Sequence, residues 1–349
     1  MENCERLGPE NLFPQRRLFM GVGLFSVAVG IPNWLDVAGR MEAVQSRTVS
    51  RIGMPDVDMV KKMTDQFEEL YGQFGGRRSR PMAARFLANT VVPYLHADAF
   101  DGVRKAMLSA ASLLSYLTGW MAVDEGLHGL AREYYAKGLE LASAGADHLT
   151  YCRVLRGMSV QAADLGHGEI AVRLANAAAA TSAEAGPRMS AFMAGQQAHS
   201  FAVAGEKSSA LRSIMETERA VDVAESGSGS FGGYGPATLA YHAAQVRYAL
   251  GDVSGSIESL KLYFQLRGPS ETQVSGIRFQ LMLAERQLEL GHLEAACATW
   301  SEVLDKYPAM HSGRVDRRVR AISRLLLPYT SNGLARDISE RSRHLSRAA

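Results

Sequence analysis

Cysteine is scarce in this chain of 349 residues, which contains only Cys4, Cys152 and Cys297. An odd number of cysteines scattered over the whole length does not form a disulfide framework, and none has the short spacing of a zinc cluster. The sequence therefore predicts a protein of a reducing compartment. Cys152 and Cys297 fall in helical patterns, where we expect buried free thiols.

The chain also has few prolines and few aromatic residues, and its positive and negative charges nearly balance. The chain has 11 prolines, 8% aromatic residues and a net charge of +2. Few prolines in a chain rich in Ala and Leu favour an all-α protein. A body that is close to neutral gives no reason to expect a nucleic acid or an acidic surface as its partner.

The motifs of common enzyme sites are missing as well. The nine histidines include no His-Glu-x-x-His, no Cys and His residues have metal-ligand spacing, and there is no Gly-x-Ser-x-Gly elbow. No Lys-Ser or Lys-Thr pair follows the Gly-rich stretch from Glu225 to Pro236, which argues against a nucleotide loop. We therefore expect no catalytic residues, no metal and no cofactor.

What the chain does contain is one short pattern that occurs five times. A small residue is followed after seven positions by Gly, five positions later by Ala or Ser, and four positions later by a packing residue. The glycines are 40, 39, 46 and 40 residues apart, and a period of this size predicts a stack of helical hairpins. The five copies are Gly119, Gly126, Ala131 and Tyr135; Ser159, Gly166, Ala171 and Ala175; Ala198, Gly205, Ala210 and Ile214; Ala244, Gly251, Ser256 and Leu260; and Ala284, Gly291, Ala296 and Trp300.

Each position of the pattern has a physical reason. The Gly marks the point where one helix ends and the chain reverses, which often needs a left-handed backbone that only Gly adopts at low cost. The small residues on either side of it allow two antiparallel helices to approach closely, and the last residue fills the space between neighbouring hairpins. A hairpin of this kind cannot bury its apolar face alone and is stabilised by its neighbours.

This spacing resembles a tetratricopeptide repeat lengthened beyond its usual 34 residues. The run Leu117–Tyr135 is similar to the opening repeat in the C-terminal halves of actinobacterial helix-turn-helix regulators, and Gln73–Gly76 and Val92–Leu95 resemble segments that precede that repeat. The resemblance spans roughly residues 50 to 330. It implies a right-handed superhelical solenoid of about five TPR-like hairpins that senses or binds a partner. No helix-turn-helix precedes the repeats, so the resemblance does not imply specific DNA binding.

The first fifty residues can be interpreted in two ways. Arg16 and Arg17 precede Phe19 and an apolar run from Gly21 to Pro32, which is the order of a twin-arginine export signal. No small-x-small cleavage site follows, and the run is short for a membrane span, which needs about 20 apolar residues. We expect a linker or packing segment in a cytoplasmic protein, with export or membrane association as the alternative.

Helices are predicted to cap both ends of the repeats. The N-terminal pair is a helix over Asp56–Tyr71 and, after Gly75-Gly76 and the basic loop Arg77–Arg80, a second helix that begins at Pro81. The chain thus divides into a linker or packing segment at 1–50, capping helices at 51–104, repeats at 105–312, and a capping helix with a basic tail at 313–349.

The C-terminal segment differs from the rest in charge. It holds nine Arg against three acidic residues, so the remainder of the chain carries about −4. We expect an amphipathic capping helix with a charged outer face; an acidic partner or weak contact with nucleic acid is the alternative. Between the third and fourth repeats, Phe231 and Tyr234 lie in the Gly-rich stretch, which either forms a surface insertion or closes over a ligand.

The first helix of each hairpin is expected to line a concave groove. Groove positions lie about three, six, ten and thirteen residues before each Gly, and Arg with aromatic residues is a combination enriched at binding sites. The alternative is that about half of these aromatic residues only pack between helices. The candidate partner-binding residues are Tyr116, Trp120, Arg153, Arg156, Phe192, His199, Tyr241, Gln245, Tyr248, Arg278 and Glu285.

These observations lead to two main hypotheses for the function. The first is a non-enzymatic regulatory or adaptor protein, linked to transcriptional or secondary-metabolism regulation, that binds a peptide or protein in the groove. The second is a regulatory module that senses a small-molecule effector through the curvature of the repeats. An enzyme with a site built from distant residues is a weaker third hypothesis. A homodimer is compatible with each of them, and we expect no direct specific binding to DNA.

Overall fold

The architecture is all-helical in the computed structural model of this protein, which describes residues 51–182, 187–225, 235–268 and 271–348. Within these ranges no strand forms, and the one β-bridge joins Arg51 to Asp98. Cys4, the segment Arg16–Pro32, and Phe231 and Tyr234 lie outside the described residues.

The N-terminal helices are α1 (Met54–Phe74), α2 (Gly76–Phe86) and α3 (Val92–His96), with a π-helical turn at Leu87–Val91. The prediction of a helix over Asp56–Tyr71 is confirmed.

The prediction of a second helix that begins at Pro81 is wrong, because α2 begins five residues earlier and contains the residues expected to form a loop. Gly75, with φ +98°, reverses the chain, and the N–H of Gly76 donates to the Asp124 carboxylate, 3.0 Å away. This bond satisfies one of the free N–H groups of the first turn, and Arg77 and Arg80 form ion pairs with Asp316 and Glu125.

Five pairs of adjacent helices follow, and the two members of each pair pack against each other. The pairs are α4 (Asp101–Glu125) with α5 (His128–Ala144), α6 (His148–Asp164) with α7 (Gly168–Thr181), α8 (Pro187–Val203) with α9 (Lys207–Glu225), α10 (Pro236–Ala249) with α11 (Val253–Leu266), and α12 (Gln273–Glu289) with α13 (Leu293–Lys306).

The five glycines of the sequence pattern lie at the turns of these pairs, as predicted. Their φ angles are +85° at Gly126, +78° at Gly166, +80° at Gly205, +87° at Gly251 and +79° at Gly291, all in the left-handed region. The small residues on both sides of each Gly are buried, which confirms the close packing expected within a pair.

Close approach of the paired helices is visible in two kinds of contact. A Cβ at Gly119 would lie 2.8 Å from the ring of Tyr135, so no larger residue fits there. In two other pairs a serine at a small position bonds across to its counterpart: the Ser159 hydroxyl donates to the Ala171 carbonyl at 2.8 Å, and the Ser256 hydroxyl to the Ala244 carbonyl at 2.7 Å.

The first helices of the pairs contact each other in order, and α1 closes the series. Helix α1 packs on α4, which is followed by α6, α8 and α10. Tyr241 of α10 stacks on Phe279 of α12, and α12 packs against α1. At this last contact a Cβ at Gly72 would lie 2.9 Å from Thr272 Cγ2, so the two segments nearly touch. These six inner helices therefore form a closed cycle of contacts.

The C-terminal segment, expected as one capping helix, contains two helices, α14 (Gly313–Leu325) and α15 (Gly333–Ala348). Helix α14 contacts α4 and α12, so it lies against members of the inner cycle. Its arginines, expected on an outer face, partly face the protein: Arg314 pairs with Asp164 at 2.5 Å and Arg318 with Glu285 at 2.5 Å.

A buried carboxylate holds the two ends of the described chain together. Asp124, at the end of α4, is fully buried and accepts the hydroxyl of Ser312 at 2.7 Å in addition to the N–H of Gly76. Backbone hydrogen bonds between His311 and both Phe74 and Arg77 continue this contact, which we call the Asp124 junction.

One helix of the described residues, α4, is long and apolar enough to cross a membrane by length and composition alone. In the structure 67% of its apolar stretch is buried inside the protein. Helix α4 is therefore placed as a core helix, in contact with α1, α2, α5 and α6.

The tight packing at the Asp124 junction leads to a prediction about Gly76. A Cβ at this position would lie 2.6 Å from the Met121 carbonyl oxygen, which belongs to the backbone and cannot move alone. Gly76→Ala should therefore lower the free energy of unfolding by about 1–3 kcal/mol. The control is Gly102→Ala, because a Cβ there meets nothing within 4 Å. Chemical denaturation that finds the two variants equally stable would contradict this account of the junction.

Candidate functional site

A cavity of about 330 Å³ lies inside the cycle of inner helices. Its walls come from α4, α6, α8, α10 and α12, with Tyr263 of α11 and the segment before α12. Seven of the residues predicted from the sequence line it together: Tyr116, Trp120, Arg156, Phe192, His199, Tyr241 and Arg278.

The other four predicted residues do not line this cavity. Glu285 is paired with Arg318, and Arg153 is half-buried near Glu68. Gln245 and Tyr248 surround the buried Arg286, which donates to the Gln245 side chain at 2.7 Å and lies 4.2 Å from the centre of the Tyr248 ring. These side chains contact other residues of the protein away from the cavity, and a role for them in partner binding stays a prediction.

Aromatic rings form much of the cavity wall. Tyr241 stacks on Phe279 with ring centres 4.0 Å apart and planes 15° apart, and Tyr263 meets Phe279 edge-on at 4.8 Å. On the opposite part of the lining, Tyr116 stacks on the buried Tyr135 at 6.1 Å. Such preformed rings offer flat apolar surface to a ligand at little cost in conformational entropy.

Trp120 is held in place from two sides. Its indole N–H donates to the Tyr71 hydroxyl at 3.0 Å, and the Arg314 guanidinium lies 5.4 Å from its ring centre. Because Tyr71 belongs to α1 and Arg314 to α14, this wall of the cavity depends on both ends of the described chain.

Two arginines bring positive charge to the cavity. Arg156 and Arg278 are each 8% exposed, and Arg156 lies 3.6 Å from the centre of the Phe192 ring and hydrogen-bonds Tyr116. Glu271 is the carboxylate among the lining residues, and it accepts the Tyr263 hydroxyl at 3.1 Å.

Several lining residues were missed from the sequence. Gln196 follows Phe192 by four residues and precedes His199 by three, so helical periodicity alone could have placed it on the same face. Its amide donates to Ser159 at 3.1 Å and Ser200 at 3.2 Å, which fixes its orientation. Tyr263 could not have been found in this way, since it lies on the second helix of its pair.

Two buried histidines line the cavity. Burial lowers the pKa of His242 well below its ordinary value, and the nearby Arg156 acts in the same direction. Burial also lowers the pKa of His199, where Arg156 and Arg286 add to the effect and Asp164 opposes it. Both imidazoles are therefore neutral at pH 7, and neither adds to the charge of the two arginines.

The cavity lining contains neither a metal-binding cluster nor a cysteine of the described residues. Across the ranges that the structure describes, no group of three His, Cys, Asp or Glu side chains is placed to hold a metal ion. Cys152 and Cys297 are buried free thiols, as predicted, and neither lines the cavity.

The lowered histidine pKa values predict a loss of stability in mild acid. The unfolded chain has histidine pKa values near 6.5, above those of buried His199 and His242, so it takes up protons first as the pH falls. Stability should be complete above about pH 6.5 and decrease as the pH falls from there towards the folded values. Melting temperatures of the full chain between about pH 8 and 5.5 measure this loss, and this range lies above the ordinary titration of carboxyl groups.

The matched variants for this experiment are His242→Gln and His292→Gln. The first removes a buried titrating group and should flatten the profile, whereas His292 is exposed in a turn and its replacement should leave the slope unchanged. The same slope in both variants and the parent would contradict a role for His242.

Comparison of the chain with known proteins gives no relative from which a role could be transferred. No protein-family model matches it, and a search of curated proteins finds no match. The cavity, its aromatic walls and its two buried arginines are the features from which its function is argued.

Proposed function

We propose that this chain is a non-enzymatic regulatory module that binds a small molecule in the cavity of the inner helices. The observation that carries this proposal is the closed cycle of contacts around a cavity of about 330 Å³. Ligand pockets begin at about 300 Å³, so the cavity suits a compact molecule that it surrounds on several sides. An extended peptide would need a groove open along its length.

The position of the cavity supports a regulatory role. A ligand there would touch first helices of all five pairs, and would also bear on α1 and α14 through Trp120. If two arrangements of these helices bind the ligand with different affinity, binding shifts their populations. Such a shift in the helix arrangement would change the outer surface of the protein, which another protein could recognise.

The family resemblance is part of the same proposal. The five glycine turns and the small residues beside them support TPR-like repeats in a right-handed superhelix, in the manner of the C-terminal halves of actinobacterial regulators. Transcriptional or secondary-metabolism regulation, a cytoplasmic location and the absence of specific DNA binding remain proposals that follow from that resemblance and from the sequence.

The second candidate function is binding of a peptide or protein. It is favoured by the surface near Tyr248, whose side chain is 41% exposed, lies over Arg286 and donates its hydroxyl to Glu289 at 3.0 Å. Tyrosine and arginine together are enriched where partners bind most strongly.

A cavity-filling variant tests the proposed function. Thr238 is half-buried in the first turn of α10 and lines the cavity, so Thr238→Phe should occupy the ligand's space. A ligand at a hundredfold excess over its Kd adds about 2.7 kcal/mol of stability. A library of small metabolites should therefore yield a compound that raises the melting temperature of the parent protein but not of Thr238→Phe.

The control is Ser208→Phe, which adds the same ring at an exposed position of α9. This variant should respond to the compound as the parent does. A response only to peptides, kept in Thr238→Phe and lost in Tyr248→Ala, would contradict the small-molecule proposal and support the second candidate.

A further inference from the structure

Arg278 is a buried cation that faces the cavity without an acidic partner. Its side chain is 8% exposed and lines the cavity from α12. Among the described residues it forms no ion pair and no hydrogen bond, and its ring contact is with Phe279, 5.8 Å from the guanidinium carbon to the ring centre. Asp164, which feels its charge, is held by Arg314 at 2.5 Å.

The other charged residues that line the cavity do not pair with Arg278. Glu271 is engaged by the Tyr263 hydroxyl, and Arg156, also 8% exposed, adds a second positive charge. His199 and His242 are neutral and add no charge beside Arg278.

A cation in this position is costly in a protein that binds nothing there. Removing a guanidinium from water is unfavourable unless hydrogen-bond acceptors and a negative charge replace the water. The fork of donors of an arginine matches a carboxylate or a phosphate. The single guanidinium of Arg278 suits a monoanion, such as a carboxylate, better than a phosphate, which carries about −1.5 to −2 at pH 7.

The walls next to Arg278 indicate what the rest of the ligand is. Phe279 follows Arg278 in the chain, and the stack of Tyr241 on Phe279 gives the cavity a flat apolar surface beside the guanidinium. Trp120, Phe192 and Tyr116 also line the cavity. A planar ring would lie against these side chains while its acid group reaches the arginine.

We propose that the cavity binds a small aromatic carboxylic acid, with its carboxylate at Arg278 and its ring against the aromatic wall. This inference rests on the proposed function, in which the cavity is a ligand site, and adds the chemical class of the ligand. The volume of about 330 Å³ limits the acid to one or two rings.

Isothermal titration of the full chain with benzoate, 1-naphthoate and indole-3-carboxylate tests the proposal. The neutral amides of the same acids and inorganic phosphate serve as matched probes. At least one acid should bind, its amide should bind more weakly, and phosphate should not compete. Arg278→Met should weaken binding of the acid about 10- to 100-fold, the effect of a lost hydrogen bond to a charged group.

The control variant is Arg247→Met, which removes an exposed arginine of α10 and should bind the acid as the parent does. Melting temperatures give a second readout, which distinguishes an arginine that binds the ligand from one that only stabilises the fold. Without ligand, Arg278→Met should be as stable as the parent or more stable, because it removes an unpaired buried charge. With the acid present, its stabilisation should be smaller than that of the parent.

The possible failures can be distinguished. If an amide binds as tightly as its acid, in both the parent and Arg278→Met, the assignment of an acid is wrong and the cavity remains a ligand site. Tight binding of phosphate that depends on Arg278 would overturn the carboxylate assignment. If none of the acids binds, the inference is overturned; if Thr238→Phe also binds every active metabolite normally, the proposed function fails with it.

Discussion

The hydrogen bonds of the buried Asp124 carboxylate are the contact on which the rest of the structure depends. One oxygen accepts the N–H of Gly76 and the other the hydroxyl of Ser312, so a single side chain of α4 joins α2 to the start of α14. Because α1 and α14 are held there, α1 can lie between α4 and α12 and close the inner cycle. An unpaired buried carboxylate is costly, which favours this one arrangement of the ends.

Ion pairs join the C-terminal segment to the rest of the described chain. The basic C-terminal segment and the acidic remainder pair with each other, through Arg314 with Asp164 and Arg318 with Glu285. Within the described part of the chain, three of the nine arginines of this segment pair with the remainder in this way, the third through Arg341 and Asp305. Arg278 differs from Arg314, because it is equally buried but no carboxylate of the described residues pairs with it.

The parts of the fold that could be predicted depend on neighbours in sequence. Local features include the left-handed Gly of each turn, the small residues beside it and the inner face of each first helix. The periodicity of that face placed Tyr241 and Arg278 together, and both line the cavity. Closure could not be predicted, since Asp124 and Ser312 are 188 residues apart and Arg314 and Asp164 are 150 apart. The sequence does not show which arginine reaches which acid, and Glu285 was therefore placed in the groove.

The most direct test of this account is the distance between the end of α1 and the start of α12. Spin labels at the exposed residues Gln73 and Gln273, with Cys4 replaced by Ser, report it in solution by pulsed electron resonance. These residues follow Gly72 and Thr272, which nearly touch, so the closed cycle predicts one narrow distribution at short distance. An open row, with five steps of 8–10 Å between packed inner helices, would place the labels about 40–50 Å apart, and a peak there would contradict the closed cycle of helices.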